Sequence, residues 1–207
     1  MIKKPLYLVI IGPSGGGKGT QAKLLEKRLG IKHISTGELF REEIAKKTQL
    51  GKKIALVINQ GRWMDTPTTL MVLKQALQKS LFSGFILDGF PRAPDQPKAL
   101  DAILVKEGVE LDLVIHLQVG VEEIMERRQN LINQGKGFYP GQNRKDESLE
   151  AIQGRLSAYQ KTIKPILLYY HRKGILAEVD GERKVKPIHQ EILGLIKKSV
   201  DKNGSKD

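Results

Sequence analysis

The chain has 207 residues, 40% hydrophobic and 28% charged, which is enough for one sizeable core and suits a soluble globular protein. It has no cysteine, which excludes disulfides and thiolate metal sites. Its net charge of +12 calls for an anionic partner, and nucleic acid, a membrane surface or a polyphosphate would each serve.

The first apolar run, Leu6–Ile11, reads as a buried strand that stops at Gly12. No small-residue cleavage site follows it, so the basic start Met1–Pro5 is not read as a signal peptide. No run in the chain approaches the roughly 20 apolar residues of a membrane-spanning helix. A glycine-rich loop leads into a helix over Gln21–Leu29, and Ile31–Ile34 adds a short strand. Residues 36–65 read as short helices, one over Glu38–Lys46, with Gly51 and Gly61 as breaks. Beyond them a helix over Thr68–Leu81, a strand at Phe85–Leu87, a helix over Gln96–Lys106, a strand at Leu113–Leu117 and a helix over Val121–Asn133 follow in turn.

Gln134–Lys145 is rich in glycine and polar groups, the composition of a surface loop or lid. A long helix over Leu149–Arg172, a weaker strand at Leu176–Val179 and a helix over Pro187–Ser199 complete the pattern. The tail after Lys198 is small and polar and is expected to fray. Strand alternating with helix argues for an α/β fold with a parallel sheet covered on both faces.

The strongest local signal is Gly12-Pro13-Ser14-Gly15-Gly16-Gly17-Lys18-Gly19-Thr20, between a buried strand and an amphipathic helix. Glycines let backbone N–H groups close on phosphate, and the helix N-terminus adds partial positive charge. Lys18 would reach the β- and γ-phosphates. Gly19 stands where phosphate loops usually carry a magnesium-binding Ser or Thr, so any magnesium must be held mainly by nucleotide and water. The four histidines, His33, His116, His171 and His189, show no ligand spacing and read as structural or solvent-facing. Taken singly, Thr36 would be a helix N-cap and Arg41, Arg127 and Arg155 solvated helical cations. Asp88, just past an apolar strand, stands where open parallel sheets bind ligands.

Three segments together resemble the P-loop nucleoside monophosphate kinases, adenylate kinases in particular. They are Gly17-Lys18-Gly19-Thr20-Gln21, Ile34–Arg41 with its Ser35-Thr36-Gly37, and Leu87-Asp88-Gly89-Phe90-Pro91-Arg92 followed by Gln96. The resemblance extends through Lys184. It implies a P-loop NTPase three-layer α/β fold with a central parallel sheet, an AMP-binding helical insertion and a lid of intermediate length. On that basis the chain is one kinase domain, with core 1–35, 66–127 and 146–198, insertion 36–65, lid about 128–145 and a disordered tail 199–207.

The activity implied is reversible transfer from ATP to AMP giving two ADP, in the cytoplasm and by a monomer. The alternatives are a UMP/CMP kinase and, further off, a basic nucleotide- or RNA-binding module. Nucleic acid is not predicted, because aromatic content is only 5% and no basic–aromatic interleaving is present. The resemblance assigns ATP to Gly15, Gly16, Gly17, Lys18, Gly19, Thr20, Arg127 and Arg183. It assigns AMP to Thr36, Arg41, Arg62, Trp63 and Met64, to Gly89, Phe90, Pro91, Arg92 and Gln96, and to Arg144 and Arg155. Catalysis is implied for Lys18, Arg92, Arg127, Arg144 and Arg155, with Mg²⁺ entering on ATP and held by Asp88 through water. No structural zinc is expected. Relatives that act on UMP and CMP commonly carry alanine where Thr36 stands, which favours AMP. Relatives also carry a second lid-helix arginine at the position of Leu131, for which Arg128 or Lys136 could substitute.

Overall fold

The computed structural model describes residues 4–134 and 149–204. Five strands form one sheet: β1 (Tyr7–Ile11), β2 (Lys32–Ser35), β3 (Phe85–Asp88), β4 (Leu113–Gln118) and β5 (Leu176–Asp180). Every pairing is parallel, in the order β2-β3-β1-β4-β5. The helices described are α1 (Lys18–Leu29), α2 (Thr36–Ala45), α3 (Gln49–Ile58), α4 (Thr66–Ser80), α5 (Gln96–Lys106), α6 (Val121–Asn133), α7 (Leu149–Arg172) and α8 (Val185–Gly204).

All five residues of β1 are buried, as expected of a central strand covered on both faces. Side chains alternate across a strand. Tyr7, Val9 and Ile11 therefore join Phe85, Leu87, Leu73, Leu100 and Tyr170 on one face. Leu8 and Ile10 join Ile86, Ile115, Leu25, Ile188 and Ile192 on the other. Helices α4, α5 and α7 cover the first face and α1 and α8 the second. The chain steps from β1 to one side and later returns to β4 on the other, so β1 lies at the switch point where a crevice opens beyond the strand ends.

Caps and anchors explain where helix ends depart from the sequence reading. Helix α1 starts at Lys18 rather than Gln21, because Gly17 takes φ +89 and turns the loop directly into the helix. Ser35, not Thr36, caps α2: its Oγ accepts from the Glu38 N–H at 3.4 Å. Gly51 is not a break. It lies inside α3, where a Cβ would stand 2.3 Å from the Glu43 carbonyl oxygen, so its role is the close approach of α2 and α3. The frayed tail expected from residue 199 is also corrected, since α8 continues to Gly204. Ser199 Oγ donates to the Asp112 carbonyl at 2.8 Å, anchoring the helix just where the sequence reading ended it. Among the described residues no helix is long and apolar enough to cross a membrane.

Candidate active site

The glycine-rich loop after β1, the ends of β2, β3 and β4, the segment 36–65, α6, Arg155 of α7 and the stretch from Gly181 into α8 enclose a cavity of about 790 Å³. The glycine-rich loop forms one wall, with Gly15, Gly16, Gly17, Lys18, Gly19 and Thr20 all lining it. Lys18 is buried and its Nζ donates to the Pro13 carbonyl at 2.8 Å. Burial, with Arg92 and Arg155 nearby, lowers its pKa to about 8, against an opposing pull from Asp88.

Asp88 ends β3 beside the loop: a Cβ on Gly19 would lie 3.5 Å from Asp88 Oδ2. Burial raises the Asp88 carboxyl, but contact with His33 and the charges of Lys18, His33 and Arg92 outweigh it and hold it below the usual carboxylate range. An ionised carboxylate thus stands against the very position where the loop lacks a hydroxyl. A single ionised carboxylate at that place fits a magnesium ion held mainly by nucleotide and water, which Asp88 would reach through the water. His33 Nε2 lies 3.5 Å from Asp88 Oδ2. The sequence reading left His33 as structural or solvent-facing. Its signal was its place in a strand expected to be buried, where a polar group needs a partner.

The wall opposite the glycine-rich loop is assembled from side chains. Thr36 is buried and its Oγ donates to the Asp88 carbonyl at 3.2 Å. Gly89 adopts φ +85, and a Cβ there would lie 2.4 Å from Thr36 Oγ and 2.9 Å from the Arg92 guanidinium, so no other residue fits without displacing both. Arg92 Nε donates to the Gly89 carbonyl at 2.6 Å. Gln96, buried at the start of α5, accepts through Oε1 from the backbone N–H groups of Arg92 at 2.5 Å and Ala93 at 3.1 Å. Arg41, Arg62, Trp63, Met64 and Phe90 also line the cavity. Pro91 does not: it is buried and lines instead a smaller recess that Tyr159 also lines.

Arg155, on α7, is buried and lines the cavity. Arg127, on α6, lines it too, with Nε donating to Glu123 at 2.6 Å and an Nη to the Gly181 carbonyl at 2.9 Å. Arg183 lines it from the loop after β5 and is held by Glu191 and by the Asp180 carbonyl at 3.2 Å. Leu131 faces the cavity, flanked by Asn130 and Gln134, while Arg128 is not on the wall. Among the described residues, the neutral side chains Asn130, Leu131 and Gln134 line that end of the cavity. Arg144 and Lys136 lie outside the described residues.

One turn beyond Arg155, Tyr159 Oη hydrogen-bonds the buried His116 at 2.8 Å, and His116 Nδ1 lies 3.2 Å from Glu178. His116 pairs with Ile11, the last residue of β1 before the loop. Burial lowers the His116 pKa despite Glu178 and raises that of Tyr159. Nothing in the sequence marks this bridge between α7 and the sheet.

A family model described as "Adenylate kinase" matches residues 10–175. The adenylate kinase of Stenotrophomonas maltophilia is 40% identical over 193 residues, covering 93% of this chain and 100% of that protein. That of Desulforamulus reducens is 37% identical over 213 residues, with 93% and 100% covered. That of Archaeoglobus fulgidus is 34% identical over 214 residues, with 93% and 99% covered.

Proposed function

The chain belongs to the adenylate kinase family, and from that premise we propose that it transfers the γ-phosphoryl group of ATP to AMP, giving two ADP and so balancing the adenine nucleotides. The observation that carries the reading is the meeting of Lys18, Arg92 and Arg155 in one cavity that runs from the phosphate loop to the Thr36–Gln96 pocket. An oxygen of the AMP phosphate attacks the γ-phosphorus, and the bond to the bridging oxygen of the β-phosphate breaks. That nucleophile is already ionised near neutral pH, so no general base is required. The protein's work is to position the two nucleotides, neutralise charge and exclude water.

The loop N–H groups and Lys18 hold the ATP phosphates, with Arg127 and Arg183 at the donor base. Arg41 and Arg92 hold the AMP phosphate, and Arg155 bears on the transferring group; the family assigns Arg144 there as well. Asp88 would hold Mg²⁺ through water when the ion enters with ATP, and the ion would then supply further neutralisation of phosphate charge. Segment 36–65 acts as the acceptor arm; the lid that the resemblance places at about 128–145 lies mostly outside the described residues. A cytoplasmic location and a monomeric state are proposed on the family resemblance alone.

The choice of base follows from the polarity of two buried groups. The Thr36 hydroxyl gives its proton to the Asp88 carbonyl, which leaves its oxygen to accept. Gln96 Oε1 accepts from two backbone N–H groups, which leaves its NH₂ to donate. A base with an amino group beside a ring nitrogen acceptor satisfies both. Adenine has that pattern, whereas guanine and uracil present a carbonyl beside a ring N–H and oppose it. Cytosine shares the polarity but is smaller. A coupled assay offering AMP, CMP, UMP and GMP with ATP should rank AMP first and CMP next. A preference for UMP or GMP contradicts the reading.

A further inference from the structure

Trp63 and Arg92 come from separate parts of the chain. Trp63 lies in the loop between α3 and α4, near the end of the acceptor arm, and Arg92 follows β3 in the core. In the folded protein the Arg92 Cζ lies 4.0 Å from the centroid of the Trp63 ring. That is well inside the range of a cation–π contact, and tryptophan is the strongest partner for one. The edge of the same guanidinium is held by Nε donating to Gly89 at 2.6 Å. One face and one edge are thus fixed, which defines the plane. A bidentate grip on a phosphate depends on that plane. The indole Nε1 is buried and makes no hydrogen bond among the described residues.

We propose that Trp63 is a positioning residue, whose ring is a platform that sets the plane of Arg92 for the acceptor phosphate. The acceptor arm then contributes to the phosphate clamp as well as to the base pocket. The inference rests on the reading of Arg92 as that clamp. The rival role for Trp63 is an apolar wall for the base, as the resemblance alone implies.

The two roles separate on a ligand without phosphate. Binding of AMP and of adenosine to the full chain is measured by calorimetry for wild type, Trp63→Leu and Trp63→Phe, with thermal melts as a check on folding. Trp63→Leu keeps an apolar wall but removes the π face. It should weaken AMP about tenfold while moving adenosine less than about twofold. Trp63→Phe restores a ring and should recover most of the AMP loss. In an Arg92→Ala background, Trp63→Leu should weaken AMP by no more than about twofold, because the group it acts through is gone. Equal losses for AMP and adenosine, equal losses for Leu and Phe, or effects that multiply across the double mutant would each overturn the platform. The acceptor reading fails on a different result, a wild-type enzyme that prefers another monophosphate; the same comparison then runs with that monophosphate and its nucleoside.

Discussion

The proposed donor and acceptor sides of the cavity are built from different materials. The donor cradle is one contiguous stretch of backbone, Gly12–Thr20, with a single reaching side chain, Lys18. The acceptor clamp is an assembly of side chains from β2–α2, the arm, the β3 loop, α5 and α7, locked by Thr36–Asp88, Arg92–Gly89, Gln96–Arg92 and Trp63–Arg92 contacts. A backbone cradle tolerates many side-chain changes and reads phosphate of any origin. A side-chain clamp is breakable at each contact, and so can be selective. Donor-side lesions should therefore slow the chemistry with any acceptor, and acceptor-side lesions should act through acceptor KM and base choice.

The largest effects fall on the charges proposed to bear on the transferring phosphoryl group, Lys18 from the donor cradle and Arg155 from α7. Lys18→Met and Arg155→Ala should each lower kcat by about 10²–10³-fold, near 3 kcal/mol of transition-state stabilisation, with melting temperature little changed. Steady-state kinetics check this, and near-wild-type turnover in either variant removes that residue from the phosphoryl clamp. Next is Gly89→Ala, which forces a side chain into φ +85 and against Thr36 and Arg92. Strain of about 1–3 kcal/mol is expected there. The loss should appear in the KM for AMP more than in that for ATP; an equal rise in both would erase the contrast between the two sides.

A pH profile sharpens the donor side. Lys18 has a folded pKa of about 8, below its ordinary value, because burial disfavours its charge. The free enzyme then loses the loop charge as pH rises through about 8, and kcat/KM for ATP should fall by up to about tenfold per pH unit above it. Stability moves the other way. The folded state binds fewer protons than the unfolded state between about 8 and the ordinary lysine value, so the Lys18 contribution favours folding as pH rises across that window and is unfavourable below it. A flat kcat/KM profile through pH 9 would count against Lys18 as the titrating group. The smallest effect is expected at Tyr159→Phe, which removes one buried hydrogen bond to His116. A loss of about 1 kcal/mol in denaturant unfolding is the expected size.

The contrast also accounts for what could be read from sequence. Strand order aside, the α/β alternation and the cradle are local patterns of periodicity and glycine spacing, and both were legible. The residues proposed for the acceptor are assigned through resemblance and not through any local pattern, because Thr36, Trp63 and Arg92 come together across 56 positions of chain. Their hydrogen-bond polarity was not legible at all. That Thr36 donates to Asp88 and that Gln96 accepts from Arg92 and Ala93 depends on tertiary geometry. His33 and the His116–Tyr159 bridge were missed for the same reason, since neither pairing is local. Gly51 was misread because a close helix approach and a helix break leave the same letter in the sequence.

The central claim is that the cavity transfers a phosphoryl group from ATP to AMP and that Thr36 and Gln96 together choose the base. The most direct measurement is the acceptor panel run on wild type and Thr36→Ala. Wild type should convert AMP in preference to CMP, with UMP and GMP far behind, and Thr36→Ala should narrow that gap by raising the KM for AMP. Equal use of UMP and AMP by wild type, or an unchanged ranking in Thr36→Ala, would contradict the account.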